Sequence, residues 1–183
     1  MIHCPPEFNN IPLLRPPPNN APSGLQDWRV EGPWLSPVWR GKRVEIRAGL
    51  MTDGASLPWY TWSLLKCDPW SQPLLPCALA HDAWYMAELG SKDDGDRLFL
   101  DFMAMTGRIG YTRRHLIYAG PHLFGGNVWR AHTKDSIAHA RCYCQLVPAD
   151  CAAPVWPEVP VDVAIAAHAV QRRRQRDRDL GLC

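Results

Sequence analysis

His81, Asp82 and Tyr85, followed eleven residues later by Asp96, are the side chains in this sequence best suited to moving a proton or holding a metal. On a helix, His81 and Tyr85 share a face at i,i+4, and Asp82 neighbours Tyr85 at i,i+3. An imidazole, a carboxylate and a phenol held that closely suit proton transfer, metal binding or a buried polar network. The residue types alone leave all three open. Acidic and basic groups converging on one region mark it as the leading ligand or catalytic site of the chain. The structural alternative has His81 bonded to Asp96 and Tyr85 satisfying a buried carbonyl, since buried polar groups need partners.

The surrounding pattern indicates which elements must present these groups. Pro73 to Leu89 reads as a central helix: Pro suits the first turn, Ala and Leu favour the interior, and Gly90 stops it. A second helix opens at Asp94 or Asp96 and runs to about Met105, with Leu98, Phe99, Phe102 and Met105 as its apolar stripe and Gly107 after it. The short loop between them favours antiparallel neighbours, which brings Asp96 towards the late part of the first helix. A third helix is expected from Thr112 towards Ala119, ahead of Pro121. Trp28 to Ser56 reads as β, with a hairpin over Trp39–Arg47 joined at Gly41-Lys42 and a turn at Thr52–Pro58. The fold class is therefore α+β, mainly α: a short β-hairpin followed by antiparallel core helices carrying His81-Asp82 and Asp96.

The chain has 183 residues, enough for one domain, expected over residues 26–150. Residues 1–25 hold Pro5-Pro6, Pro12, Pro16-Pro17-Pro18 and Pro22 and read as an extended arm, held by partners or laid along its own domain. Residues 151–183 read as a linker and a basic C-terminal helix ending in Arg172-Arg173-Arg174-Gln175-Arg176-Asp177-Arg178. A net charge of +2 gives no global argument for nucleic acid, and the interspersed aspartates make the basic helix a solvated one. No apolar run approaches the ~20 residues a membrane-spanning helix needs. Met1-Ile-His-Cys-Pro-Pro lacks the basic and apolar regions of a signal peptide, so export by a signal of its own is not expected. Seven scattered cysteines argue against a disulfide framework. Cys142, Cys144, Cys151 and Cys183 do not have a standard zinc or cluster spacing and are expected to be buried or idle thiols.

Three blocks in order, Thr52-Asp53-Gly54-Ala55-Ser56-Leu57-Pro58, His81-Asp82-Ala83-Trp84-Tyr85 and Gly95-Asp96-Arg97-Leu98-Phe99, resemble a family of small uncharacterised proteins of tailed bacteriophages and prophages. The family pattern is T-D-G-A-S-x-P, H-D-x-x-Y and A-D-x-x-F. Here Gly95 stands in place of the Ala. The resemblance covers roughly residues 40 to 130 and brings no established activity; with no signal peptide, the host cytoplasm or the assembled virion is the expected location.

More distantly, the blocks are similar to secreted phospholipases A2, in which a helix bearing H-D-x-x-Y packs against an antiparallel helix whose Asp supports the His. That likeness implies a phospholipase A2-like core. His81 would be the base, Asp96 its orienter and Tyr85 part of the same catalytic group, with Asp82 and Asp53 on a Ca²⁺ ion that polarises an ester carbonyl. Zn²⁺ on His81, Asp82 and a further His such as His115 or His122 ranks below Ca²⁺, because no H-E-x-x-H spacing is present. Asp53 also has a plain reading as the shaper of an Asp-Gly turn. The chain departs from the phospholipases at Phe102, where a disulfide partner for Cys77 would be expected, and in its shortened glycine-rich loop. Two functions follow. One is a metal-assisted esterase acting on lipid or cell envelope. The other is a non-catalytic virion or tail component whose proline arm and basic helix contact other virion proteins.

Overall fold

The computed structural model describes residues 14–15, 28–52 and 74–150. The turn block from Asp53, most of the proline arm and the whole of the basic tail lie outside the described residues. Six short strands and five helices are present among those described: β1 (Leu14–Arg15), β2 (Trp28–Val30), β3 (Trp34–Leu35), β4 (Lys42–Ile46), β5 (Met51–Thr52), α1 (Leu75–Ala87), α2 (Lys92–Met105), α3 (Tyr111–Phe124), α4 (Gly126–Arg130), α5 (Lys134–Arg141) and β6 (Cys144–Pro148). The class is α+β, mainly α. The strands form two three-stranded antiparallel sheets, ordered β1-β2-β5 and β3-β4-β6, and β4 and β6 of the second pack on α1. Leu14 pairs with Val30 and Arg15 with Arg29, so this short stretch of the arm lies along its own domain. None of the described helices is long and apolar enough to cross a membrane.

The hairpin turns one residue earlier than expected. Trp39 pairs with Lys42, leaving Arg40 and Gly41 as the two loop residues, both with positive φ (49° and 74°). Two consecutive positive φ values give a type I′ turn, whose twist matches that of the flanking strands. From Lys42 the strand runs into the protein and pairs along its length with β6, Ile46 opposite Cys144. The hairpin tip docks on α2: the Trp39 indole N–H donates to Asp101 at 3.0 Å, and the Arg40 guanidinium meets Asp94 at 2.8 Å.

α1 is the central element, and nearly every side chain from Leu75 to Ala87 is buried. Its small residues Ala78, Ala80 and Ala83 let β4, β6, α2 and α5 close around it, and Leu79, Leu98, Phe102, Met103 and Ile117 fill the shared core. The helix ends at Ala87 with Glu88 in the left-handed region, and Arg141 from α5 donates to the carbonyls of Ala87 and Glu88. α2 begins earlier than expected, because the Ser91 hydroxyl accepts from the Asp94 N–H and caps it. That places Asp96 inside the second turn instead of at the helix start. α3 likewise continues past Pro121 to Phe124, since the proline removes a single bond and the Gly125 N–H still reaches the Pro121 carbonyl at 2.8 Å.

Gly95 is a packing requirement. A Cβ there would lie 2.5 Å from the Trp84 ring, which is held by its own N–H bond to the Ser91 carbonyl at 2.9 Å. Gly95→Ala gains up to about 1 kcal/mol of helix propensity but overpacks this contact by about 1–3 kcal/mol. Net destabilisation on the order of 1 kcal/mol is expected, read as a lower urea midpoint. An unchanged or raised midpoint would show that the indole yields freely.

Candidate functional site

The site is built where α1 and α2 cross antiparallel: Tyr85 meets Asp96, and one turn back His81 packs at 4.9 Å, tilted, against Phe99, one turn forward. His81 Nε2 lies 3.3 Å from Asp96 Oδ1, and the Tyr85 hydroxyl donates to the same oxygen in a short hydrogen bond. The Lys92 ammonium donates to Asp96 Oδ2 at 2.6 Å and to the His122 carbonyl at 3.2 Å, tying α2 to α3. His122 Nδ1 is 3.4 Å from Asp96 Oδ2 and 3.1 Å from the Tyr118 hydroxyl. Asp96 is completely enclosed, so a carboxylate with no access to water is held by donors from three sides.

Electrostatics follow from this enclosure. Burial would push the Asp96 carboxyl up, but hydrogen bonds from His81, Lys92 and Tyr85 outweigh it and hold the group well below the ordinary carboxylate range. Burial lowers the His81 imidazole below its usual 6.5, against the pull of Asp96 and with the help of the Lys92 charge. Tyr85 is pushed far above 10 by burial and then by the Asp96 bond, so it acts as a fixed donor. Because a carboxylate can only accept, the network assigns the His81 proton to Nε2 and leaves Nδ1 as the basic nitrogen. Nδ1 faces Asp82 Oδ1 at 4.0 Å, beyond direct hydrogen-bond range.

Asp82 Oδ2 accepts from the Thr52 hydroxyl at 2.6 Å. The three sequence blocks are therefore connected in space: Thr52 to Asp82, and His81 with Tyr85 to Asp96. Asp53, the other expected metal ligand, lies outside the described residues. Asp82 and Thr52 offer hard oxygen donors of the kind Ca²⁺ takes. A second group of ligand atoms, from Asp93, Asp96 and His122, lies within 4.8 Å of one another, but the Lys92 ammonium already sits on its Asp96 oxygen.

Expectation and structure differ at several points. Tyr85 bonds Asp96 where a buried carbonyl was expected as the structural alternative. Lys92 and Tyr118 belong to the network without a motif, and only the i,i+4 spacing of Lys92 and Asp96 signals one of them in the sequence. Thr52 opens the first of the three blocks, and His122, offered as a zinc ligand, lies against Tyr118 and Asp96. His115, offered as a zinc ligand, bonds the carbonyl of Tyr111, one turn back on its own helix, at 2.8 Å. Cys144 is buried and its thiol is pushed up by desolvation and then by the Asp82 charge, which keeps it protonated. Cys142 is exposed on the turn before β6, and Cys151 and Cys183 lie outside the described residues.

Among known proteins, a family described as a protein of unknown function (DUF1353) matches residues 28–120, from β2 to within α3. No curated protein and no solved structure matches the chain.

Proposed function

The chain belongs to the DUF1353 family, and from the chemistry of its own residues we propose that it is a hydrolase-like protein of bacteriophage origin that cleaves esters of lipid or cell envelope. The observation that carries this reading is the orientation of His81: Nε2 on a buried carboxylate, Nδ1 turned towards Asp82. A neutral imidazole with one nitrogen fixed by a carboxylate is the arrangement general-base catalysis requires. His81 would take a proton from water at Nδ1, and Asp96 would stabilise the imidazolium. Tyr85 and Lys92 hold Asp96 ionised and in place. Asp82, with Asp53 from the adjoining block, would hold Ca²⁺, which when bound supplies electrophilic polarisation of the ester carbonyl.

The test is hydrolysis of short-chain and phospholipid esters by the full chain, with Ca²⁺ present and after chelation. Ca²⁺-dependent turnover that Asp82→Ala abolishes is expected. No turnover of any ester with Ca²⁺ or Zn²⁺ would sink the reading. The complete enclosure of Asp96 favours a second one, a non-catalytic virion or tail component that keeps the network for stability alone.

A further inference from the structure

The region after Asp101 has an unusual surface. From Phe102 to Lys134 the sequence holds five cations (Arg108, Arg113, Arg114, Arg130 and Lys134) and no carboxylate, although the whole chain is only +2. Of the seven large hydrophobic side chains left exposed among the described residues, Val38 lies elsewhere and the other six fall between Met105 and Val128. Positive charge and uncovered apolar surface are therefore concentrated in the same stretch, which α3 and α4 dominate.

The exposed apolar groups form a ridge. Leu116 and Leu123 are seven residues apart on α3 and share a face, with Phe124 beside Leu123. The bonds from Gly125 N–H to the Pro121 carbonyl (2.8 Å) and from Trp129 N–H to the Gly125 carbonyl (2.9 Å) carry helical spacing across the junction, so Val128 follows Phe124 by one turn on α4. These side chains are 57% (Leu116), 67% (Leu123), 75% (Phe124) and 50% (Val128) exposed, whereas their neighbour Ile117 is fully buried. Arg114 lies over the Tyr111 ring at 5.1 Å, and Arg130 is exposed beside Asn127.

We infer that the outer face of α3 and α4 is a docking surface for an anionic lipid bilayer. A bilayer surface demands insertable apolar tips and positive charge around them, with no fixed hydrogen-bond partners. The ridge supplies aliphatic and phenyl tips, exposed Arg130 supplies a guanidinium group on α4, and α3 and α4 themselves carry no carboxylate, the acidic groups against α3 being Asp93 and Asp96 of α2 on the side of His122. Nucleic acid fits less well, because the exposed tips are chiefly aliphatic, while single-strand binding uses aromatic platforms. A second copy of the chain would bring like charges together. The surface does not include the His81–Asp96 pair, and docking on a bilayer does not require ester hydrolysis.

Cosedimentation of the full chain with vesicles tests this inference, using phosphatidylcholine alone or with phosphatidylglycerol. The wild type is expected to bind the phosphatidylglycerol vesicles at least tenfold more tightly, with the advantage lost in high salt. Leu123→Ser/Phe124→Ser is expected to reduce that binding at least tenfold while keeping the wild-type circular dichroism and Tm, because both side chains are already exposed. Arg114→Gln/Arg130→Gln should weaken binding to the anionic vesicles only. Unchanged binding of Leu123→Ser/Phe124→Ser would overturn the inference and assign any lipid affinity to the basic C-terminal run. Equal binding to both vesicle types would overturn its electrostatic part. Sedimentation velocity showing a dimer that the same double variant dissolves, without lipid binding, would assign the ridge to self-association instead.

Discussion

Replacing His81 with Gln is expected to lower ester hydrolysis by a factor of about 10²–10⁴, the range a positioned general base contributes, while leaving the fold in place. Gln offers a side-chain amide that can still donate towards Asp96, so the buried carboxylate keeps a partner on that side. What disappears is the only group in the pair able to take a proton at neutral pH. The pH profile separates this loss from a structural one. His81 is lowered from 6.5 by burial, so its basic form persists into mildly acidic solution. The wild-type rate should fall as pH drops through a value below 6.5, and His81→Gln should lack that limb. A variant with a rate within threefold of wild type and the same acid limb would remove His81 from the reaction.

Asp96→Ala is expected to cost about 3–5 kcal/mol of folding stability, because it breaks a buried ionic network by deleting its centre. The fully enclosed carboxylate accepts from Tyr85 and Lys92 and faces His81 Nε2. Lys92, with 18% of its side chain exposed, can partly turn to water. His81 and Tyr85 are buried and lose their acceptor outright. Asp96→Asn, which keeps the shape but not the charge, should cost less, on the order of 2–3 kcal/mol.

Acid sensitivity gives the sign independently. A carboxylate held below its ordinary 3.8 contributes stability that is present above that pH and lost as pH falls below it. His81, lowered from 6.5, adds a loss that begins on acidification below 6.5. Wild-type stability should therefore fall in both windows, and Asp96→Ala should lack the more acidic one. Urea unfolding across pH measures both. A cost below about 1 kcal/mol for Asp96→Ala would mean that the network is dispensable for the fold.

The two kinds of prediction bear on the two functional readings. A stability loss without any hydrolysis fits a virion component that keeps a polar core, whereas hydrolysis lost in His81→Gln and in Asp82→Ala fits an enzyme. Lipid binding through Leu123 and Phe124 is compatible with either.

Local patterns account for much of the architecture. Ala, Leu and Pro around His81 specify a buried helix, Leu98, Phe99 and Phe102 mark the inner face of the next one, and the short connection between them makes the pair antiparallel. From that much, the approach of Asp96 to the late part of α1 can be anticipated, because helix periodicity and a tight loop leave few other placements, whereas its distance from His81 is set by packing. The alternation of Val44 and Ile46 with charged residues likewise marks β4. The turn position, the start of α2 behind its Ser91 cap and the continuation of α3 through Pro121 differ from expectation, since each depends on one backbone bond or dihedral that residue type does not decide.

Tertiary structure alone decided the rest. Lys92 and His122 join Asp96 because α3 packs on α2, a contact between elements whose sequence spacing carries no signal. A Cβ at Gly95 would meet the Trp84 ring, and only the packed helices show that. The protonation of His81 follows from burial, a property of the whole fold, while its chemistry follows from its residue type. Sequence therefore determined which groups are present and which helices carry them. Packing determined which of those groups share a carboxylate and which apolar side chains remain uncovered, because both depend on long-range contacts that no local pattern encodes.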